Sequence, residues 1–439
     1  MAWNKYLTIG LVGLVGGVLP AAFLAGVVVG TYELPPYGLL QSLKNSATGA
    51  QASGNGEPLV EHLGLQLTDD PGDLRVLQED SVVYRDGVLT NPRAASRLSD
   101  GAYVVINGAE RHTFLINHAY HQEPTSAETI RPTSARDVEL MRANLASYIW
   151  GEPGVPYTSL PTSVEENVAD PNFQDLANLN RITRLTVSMD LGFESVVYLF
   201  HPAQPNGRAV LYHQGHAQEG FVKGIATIEG LLQEGYTVAG LTMPLRGMNN
   251  SPQGVPTQYG PVDMNDHADF IYLVERDAPS PIRFFLTPVI TVLNHLDANH
   301  QFTQYDMVGL SGGGWTTVLT AALDTRITRS YPVSGSLPIP LRNSLADFEQ
   351  SLPGLYAIAS YTELYVLGAS GPGREQQQIF NKFERCCFNG VMPLFYEQEV
   401  RGALAGLGAG DFDTVIDTTT LEHEISTFAL SSIESSLQD

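Results

Sequence analysis

The sequence predicts an α/β protein built on a mostly parallel central sheet, with additions at its N-terminus. Three observations carry that expectation. From residue 184 onward, short apolar or β-branched runs alternate with stretches of helical periodicity, the pattern of a sheet covered on both faces. One such run, residues 306–310, passes through Gly309-Leu310-Ser311-Gly312-Gly313 into a helical stretch at 315–323, so a strand turns abruptly into a helix with Ser311 at the apex. An earlier apolar run at 209–212 opens into His213-Gln214-Gly215-His216, a second polar loop at a strand end.

At 439 residues and a formal charge of −23, the chain can bury a large core and presents an acidic surface. That balance argues against general nucleic-acid binding, because a polyanion would be repelled. Arginine carries most of the positive charge, lysine occurring only at 5, 44, 223 and 382. Strong acidity suits a saline or secreted setting and bears on solubility rather than substrate. The two cysteines, Cys386 and Cys387, are adjacent; alone they cannot assemble a tetrahedral zinc site, and they are either free thiols or a vicinal disulfide.

Residues 7–32 carry no charged side chain and are rich in Leu, Val, Ala and Gly. As a helix they would extend roughly 39 Å, enough to cross a bilayer despite Pro20. The expectation is a membrane anchor with the catalytic part outside the cytoplasm, Lys5 preceding the apolar run, or a signal helix cleaved near residues 28–30 to leave a secreted or periplasmic protein. Residues 45–58, rich in Ser, Ala, Gly and Asn, form a tether that buries little. β-like pieces at 81–84, 102–106 and 113–116, separated by Asp-Gly and Asn-Gly, predict a small antiparallel addition. Residues 136–150 predict a helix with Leu140, Met141, Leu145 and Ile149 on its apolar face, and 153–171 are proline-rich and irregular. The chain thus divides into a membrane or signal segment (1–35), a linker (36–60), an N-terminal extension (61–180) and a core (181–439).

Within the core, 184–189 and 195–200 predict antiparallel strands joined around Gly192. Strands follow at 209–212 and 236–241, with a helix between them bearing Ile225, Ile228, Leu231 and Leu232. Arg246 sits in a Gly-, Asn- and Pro-rich loop and reads as the partner of a structural carboxylate. Helical segments at 267–274 and 281–296 precede the strand that delivers Ser311. Gly309 and Gly313 leave room for two backbones to approach. Further strands are expected at 329–333, 363–367 and 413–416, with a polar helix at 374–383 and an amphipathic helix at the C-terminus.

The Ser311 elbow, the His213-Gln214-Gly215-His216 loop after an earlier strand, and His423 after the last strand together resemble the α/β-hydrolase superfamily of esterases and lipases over residues 180–435. A more distant likeness to its acetyl-xylan-esterase and dienelactone-hydrolase branches specifies neither substrate. The resemblance implies a serine hydrolase in which His423 takes the Ser311 proton and the N–H of Gly312 joins one from Gly215 or His216 to hold the oxyanion. The superfamily places its acid just after the strand that precedes the histidine loop. With 363–367 as that strand, residues 368–371 supply no carboxylate. Glu375, the first one beyond, and Glu384, brought back by the intervening helix, then stand nearly equal, with Glu363 and Asp417 as lesser alternatives and a Ser–His dyad or an inactive relative left open.

His213 and His216 read as shapers of their loop rather than metal ligands, and no metal or cofactor is expected. The implied reaction is hydrolysis of a small-molecule, lipid or carbohydrate ester through an acyl-enzyme. Thioester and peptide hydrolysis pass through related intermediates, and a noncatalytic interaction protein that keeps the elbow as structure is the alternative of a different class.

Overall fold

The computed structural model describes residues 128–439 apart from 219, 222, 277, 301, 343–346, 383, 385–387, 389–391, 421 and 439, together with Ser126 and strand segments between 64 and 116. Its contacts divide into two units, one reaching residue 118 and including 344–348, the other holding the rest.

In the first unit, β1 (Gly64–Leu65), β2 (Val82–Arg85), β3 (Val88–Thr90), β4 (Gly101–Asn107) and β5 (Glu110–Ile116) form a sheet in the order β1-β5-β4-β2-β3. Antiparallel pairing of β2 with β3 and of β4 with β5 gives the hairpins expected from the Asp-Gly and Asn-Gly spacing.

The second unit opens with helix α1 (Ala135–Trp150), capped by the Ser134 hydroxyl, which accepts from Asp137 N. Its buried face is Val138, Arg142, Leu145, Ala146 and Ile149, whereas Leu140, expected on that face, is 59% exposed. Then come β6 (Ser163–Glu165), β7 (Leu179–Ser188), β8 (Glu194–Pro202), β9 (Ala209–His213), helix α2 (Ile225–Gln233) and β10 (Thr237–Leu241). A small hairpin, β11 (Val255–Thr257) and β12 (Gly260–Val262), precedes helix α3 (Arg283–Asn299), β13 (Tyr305–Leu310), helix α4 (Gly312–Leu323) and β14 (Ile327–Val333). Helix α5 (Tyr361–Ala369), β15 (Glu375–Asn381), helix α6 (Glu397–Leu407), β16 (Asp411–Asp417) and helix α7 (Thr427–Gln438) complete it.

Nine of these strands form one sheet in the order β16-β15-β14-β13-β9-β10-β8-β7-β6. From β10 to β16 every neighbouring pair is parallel, while β8, β7 and β6 pair antiparallel. Alternating side chains leave opposite faces of a strand, so each face acquires its own core. Val210, Tyr212, Val308 and Leu310 pack with Ile228 and Leu231 of α2 and with Ala429 and Ile433 of α7. Leu211, Ala239, Leu241 and Met307 pack on the other side with Val289, Val292 and Leu296 of α3.

Two expected elements exchange identity. Residues 363–367, read as a strand, lie in α5. The helix is set by a capping box: the Ser360 hydroxyl accepts from Glu363 N while the Glu363 carboxylate accepts from Ser360 N. Conversely, 374–383, read as a polar helix, contains the buried strand β15. Its glutamines are satisfied inside the fold: Gln376 Nε2 donates to Ser330 Oγ at 3.2 Å, and Gln378 Oε1 accepts from Tyr396 OH at 2.6 Å.

The membrane assignment is also corrected. Among the described residues no helix is long and apolar enough to cross a membrane, which leaves the expected membrane anchor without support. Residues 7–32, on which that expectation rested, lie outside the described residues, as do the linker at 45–58, Cys386 and Cys387.

The capping box yields a direct test. Ser360→Ala removes one hydroxyl acceptor from the start of α5 and should lower stability by about 0.5–2 kcal/mol in chemical denaturation. An unchanged midpoint would show that the cap does not hold this helix.

Candidate active site

Because β9, β13, β15 and β16 run parallel, their carboxyl ends share one edge of the sheet, and each leads into a candidate residue. Ser311 follows β13, Gly215 and His216 follow β9, Glu384 follows β15, and His423 follows β16.

Ser311 has φ 58° and ψ −125°, a backbone state that costs a non-glycine residue about 1–3 kcal/mol and persists only where the surroundings impose it. Its N–H donates to Val333 O at 2.9 Å, and its carbonyl accepts the first helical bond of α4 from Trp315 N at 3.0 Å. The Ser311 hydroxyl makes no capping bond to that helix. Packing around it is backbone against backbone. A Cβ on Gly309 would lie 2.2 Å from Gly313 O, and one on Gly313 would lie 2.0 Å from His213 O. A Cβ on Gly215 would come within 2.7 Å of both Leu310 O and Ser311 Cβ. The β9 loop is therefore pressed against the elbow, and glycine is the residue that permits it.

On the other side of the turn, a Cβ on Gly312 would meet the His216 ring at 2.7 Å and Met243 Cε at 2.7 Å. Gly312, Gly215 and His216, the three expected contributors to an oxyanion pocket, thus lie around Ser311. Met243, just beyond β10, joins them.

His423 and Glu384 form a pair. His423 Nδ1–H donates to Glu384 Oε2 at 2.9 Å, the carboxylate being fully buried. Glu384 Oε1 accepts from Phe388 N at 2.8 Å. Burial pushes the Glu384 carboxyl up, but the hydrogen bond and charge of His423, followed by the Phe388 N–H and the Ser334 hydroxyl, outweigh it, and the net shift is downward. An ionised Glu384 in turn fixes the His423 tautomer with its proton on Nδ1, leaving Nε2 as the lone-pair nitrogen. That Nε2 is buried and has no hydrogen-bond partner, so no bond joins it to Ser311 Oγ in this structure. Asn381, the last residue of β15, holds the histidine loop by donating to Glu422 O at 3.1 Å and Glu424 O at 2.8 Å. Lys223 Nζ donates to the His423 carbonyl at 2.9 Å.

Glu375, the other acid candidate, is not brought to His423. It begins β15, whereas the histidine loop joins that strand at its far end, through Asn381. Its nearest cation is Arg329 at 3.7 Å, and burial raises its pKa. The lesser alternatives are committed elsewhere: Glu363 caps α5 and binds Arg131 Nε at 2.7 Å, and Asp417 accepts from Thr419 N at 2.7 Å and from the Ser426 hydroxyl. Arg246 binds Asp266 at 2.6 Å, the structural carboxylate expected for it. His213 is buried beside its own loop, its Nδ1–H donating to Gln214 O at 2.9 Å.

Sequence reasoning passed over Asn381, hidden in the misread helix, and also His267 and Glu349, which no spacing links to the elbow. His216, His267 and Glu349 each place one potential ligand atom within 4.8 Å of the others, the one such grouping among the described residues.

The sheet order, the antiparallel β8 and the strand-to-helix turn at Ser311 define an α/β-hydrolase fold. Similar solved structures include acetyl xylan esterase 1 from a Thermoanaerobacterium species, at 11% identity and a TM-score of 0.49, covering 71% of this chain and 96% of that one. Another is an acetyl xylan esterase from a Paenibacillus species, at 15% identity and a TM-score of 0.45, covering 70% and 96%. No protein-family model and no curated protein matches the chain. These structural likenesses are distant, and the chemistry of the site follows from its own residues.

The close approach at the elbow predicts the effect of one methyl group. Gly215→Ala forces the β9 loop away from Leu310 and Ser311 and should cost about 1–3 kcal/mol of stability. Thermal unfolding reads the cost, and a melting temperature equal to that of the parent would mean the loop does not pack as described.

Proposed function

We propose that the chain is a serine hydrolase acting on carboxylic esters, with Ser311 as nucleophile, His423 as general base and acid, and Glu384 as the carboxylate that orients and charges the imidazole. The observation that carries this reading is the buried Glu384–His423 pair, whose unpartnered Nε2 belongs to the same sheet edge as a strained serine with no helix-capping bond. Hydrogen bonds of this kind tighten when substrate closes the site, so an open Ser311–His423 arrangement fits a resting enzyme.

In the proposed cycle Ser311 Oγ attacks the ester carbonyl while His423 Nε2 takes its proton. The N–H of Gly312 and one from the Gly215–His216 loop hold the oxyanion, and the imidazolium returns the proton to the departing alkoxide. Water, activated by the same nitrogen, then releases the acid and regenerates Ser311. The steps require no cofactor. Glu384 stays ionised throughout and stabilises the imidazolium. An ester, whether of a small molecule, a lipid or a carbohydrate, is favoured over a thioester or peptide by the superfamily resemblance of the sequence rather than by any recognition residue.

The test is labelling of the purified chain by a fluorophosphonate, beside hydrolysis of a short-chain nitrophenyl ester. Ser311→Ala should abolish labelling and lower kcat by at least about 10³-fold with the fold intact. Glu384→Gln should lower kcat by about 10²–10⁴-fold, because the amide no longer fixes the tautomer. Undiminished turnover in folded Ser311→Ala would remove the assignment, and absence of labelling in the folded parent would favour a noncatalytic interaction protein.

A further inference from the structure

Beside the elbow lies a second group of polar side chains that the proposed ester hydrolysis does not use. His216 follows β9, His267 begins a helical turn (His267–Leu273), and Glu349 lies in the short turn Phe348–Ser351. Glu349 is fully buried and His267 nearly so, at 4% side-chain exposure, while His216 reaches the surface at 29%. His216 Nε2 lies 3.1 Å from His267 Nδ1. The Glu349 carboxylate sets one oxygen 3.2 Å from His216 Nε2 and the other 3.3 Å from His267 Nδ1.

As neutral groups these three do not satisfy one another. His267 Nε2 lies 2.9 Å from Pro244 O, an atom that can only accept, so the ring proton belongs on Nε2 and Nδ1 presents a lone pair. That lone pair faces a carboxylate oxygen. If His216 Nε2–H donates to His267 Nδ1, it is spent there, and neither oxygen of Glu349 receives a hydrogen bond. A buried carboxylate left in that state is costly. Protonating His267 alone would give one Glu349 oxygen a donor and leave the other facing a His216 lone pair, and protonating both rings would point two N–H groups at each other across 3.1 Å.

A cation accepts all three lone pairs at once. Tetrahedral zinc, with bonds of about 2.0–2.1 Å, separates its ligand atoms by roughly 3.3–3.4 Å; the two ring nitrogens stand 3.1 Å apart, one carboxylate oxygen lies 3.2 Å from His216 Nε2, and one donor atom from each residue falls within 4.8 Å of the others. The Pro244 carbonyl supplies the outer hydrogen bond that metal-bound histidines characteristically make. Two imidazoles and a carboxylate select a first-row divalent ion such as zinc over calcium or magnesium.

We propose that His216, His267 and Glu349 form a binding site for one divalent transition-metal ion, of the zinc type, with water completing its coordination. Its role is to clamp: His216 belongs to the loop pressed on the elbow, and its ring covers Gly312, so a bound ion ties that loop to the segments bearing His267 and Glu349. The site stands independently of the hydrolase reading.

The experiment is titration of the chelator-treated, purified full chain with Co(II), followed in the visible spectrum and then displaced by Zn(II). One equivalent should bind with the intense bands of four-coordinate Co(II), and zinc should abolish them. His267→Ala and Glu349→Gln should each weaken binding at least tenfold, the lower range of loss caused even by changes in outer-shell partners. Ser311→Ala should bind like the parent, which separates this site from the catalytic assignment. Should a variant fail to fold, the parent titration decides alone. Absence of saturable Co(II) bands in the folded parent would overturn the proposal, as would folded variants that bind unchanged.

Discussion

The constraint on which the rest of this structure depends is the lack of space around one turn. Gly309, Gly313 and Gly215 each occupy positions where a Cβ would strike backbone within 2.7 Å, so β13, the start of α4 and the β9 loop meet without intervening side chains. That contact holds Ser311 at positive φ, and it settles which loop lies over which residue. Once the three segments interlock, the N–H of Gly312, the Gly215–His216 backbone and the Ser311 side chain have few alternative arrangements. Strain at Ser311 is sustained by a wholly buried strand on one side and a wholly buried helix on the other.

Around this turn the protein buries several carboxylates, and each is compensated differently. Asp306, on the strand that carries Ser311, binds Arg208 at 2.8 Å and accepts from Gln304 Nε2 at 2.8 Å. Asp417 is held by hydroxyl and backbone donors, and Glu384 by an imidazole and a backbone N–H. Glu349 stands apart, because its neighbours are two histidine nitrogens 3.1 Å apart that cannot both donate to it without their N–H groups facing each other. Burying a charge is tolerable only when partners replace water. The differing solutions separate carboxylates that support the fold, the one paired with His423, and the one whose surroundings call for a cation.

Much of this was legible along the chain. The Ser311 elbow, its flanking strand and helix, the β9 loop and His423 all come from contiguous residues whose glycines, periodicity and order report local backbone geometry. Glu384 illustrates where that legibility stopped. The resemblance places an acid after the penultimate strand, and Glu384 does follow β15, but three buried glutamines disguised β15 as a polar helix, and aromatic and β-branched residues disguised α5 as a strand. The Ser360–Glu363 capping box was available as a local signal for α5; nothing local marked Gln376, Gln377 and Gln378 as interior.

Sequence by itself therefore determined the fold class, the strand-to-helix turn and the residues at its apex, because these follow from periodicity and from the steric freedom of glycine over a few neighbouring positions. Tertiary structure alone decided that Glu384 rather than Glu375 meets His423, and that His216, His267 and Glu349 share one pocket. Those pairings join residues far apart in the chain through the register of parallel strands and the packing of loops at one sheet edge, and the energy that selects them comes from desolvating charges in a particular three-dimensional arrangement.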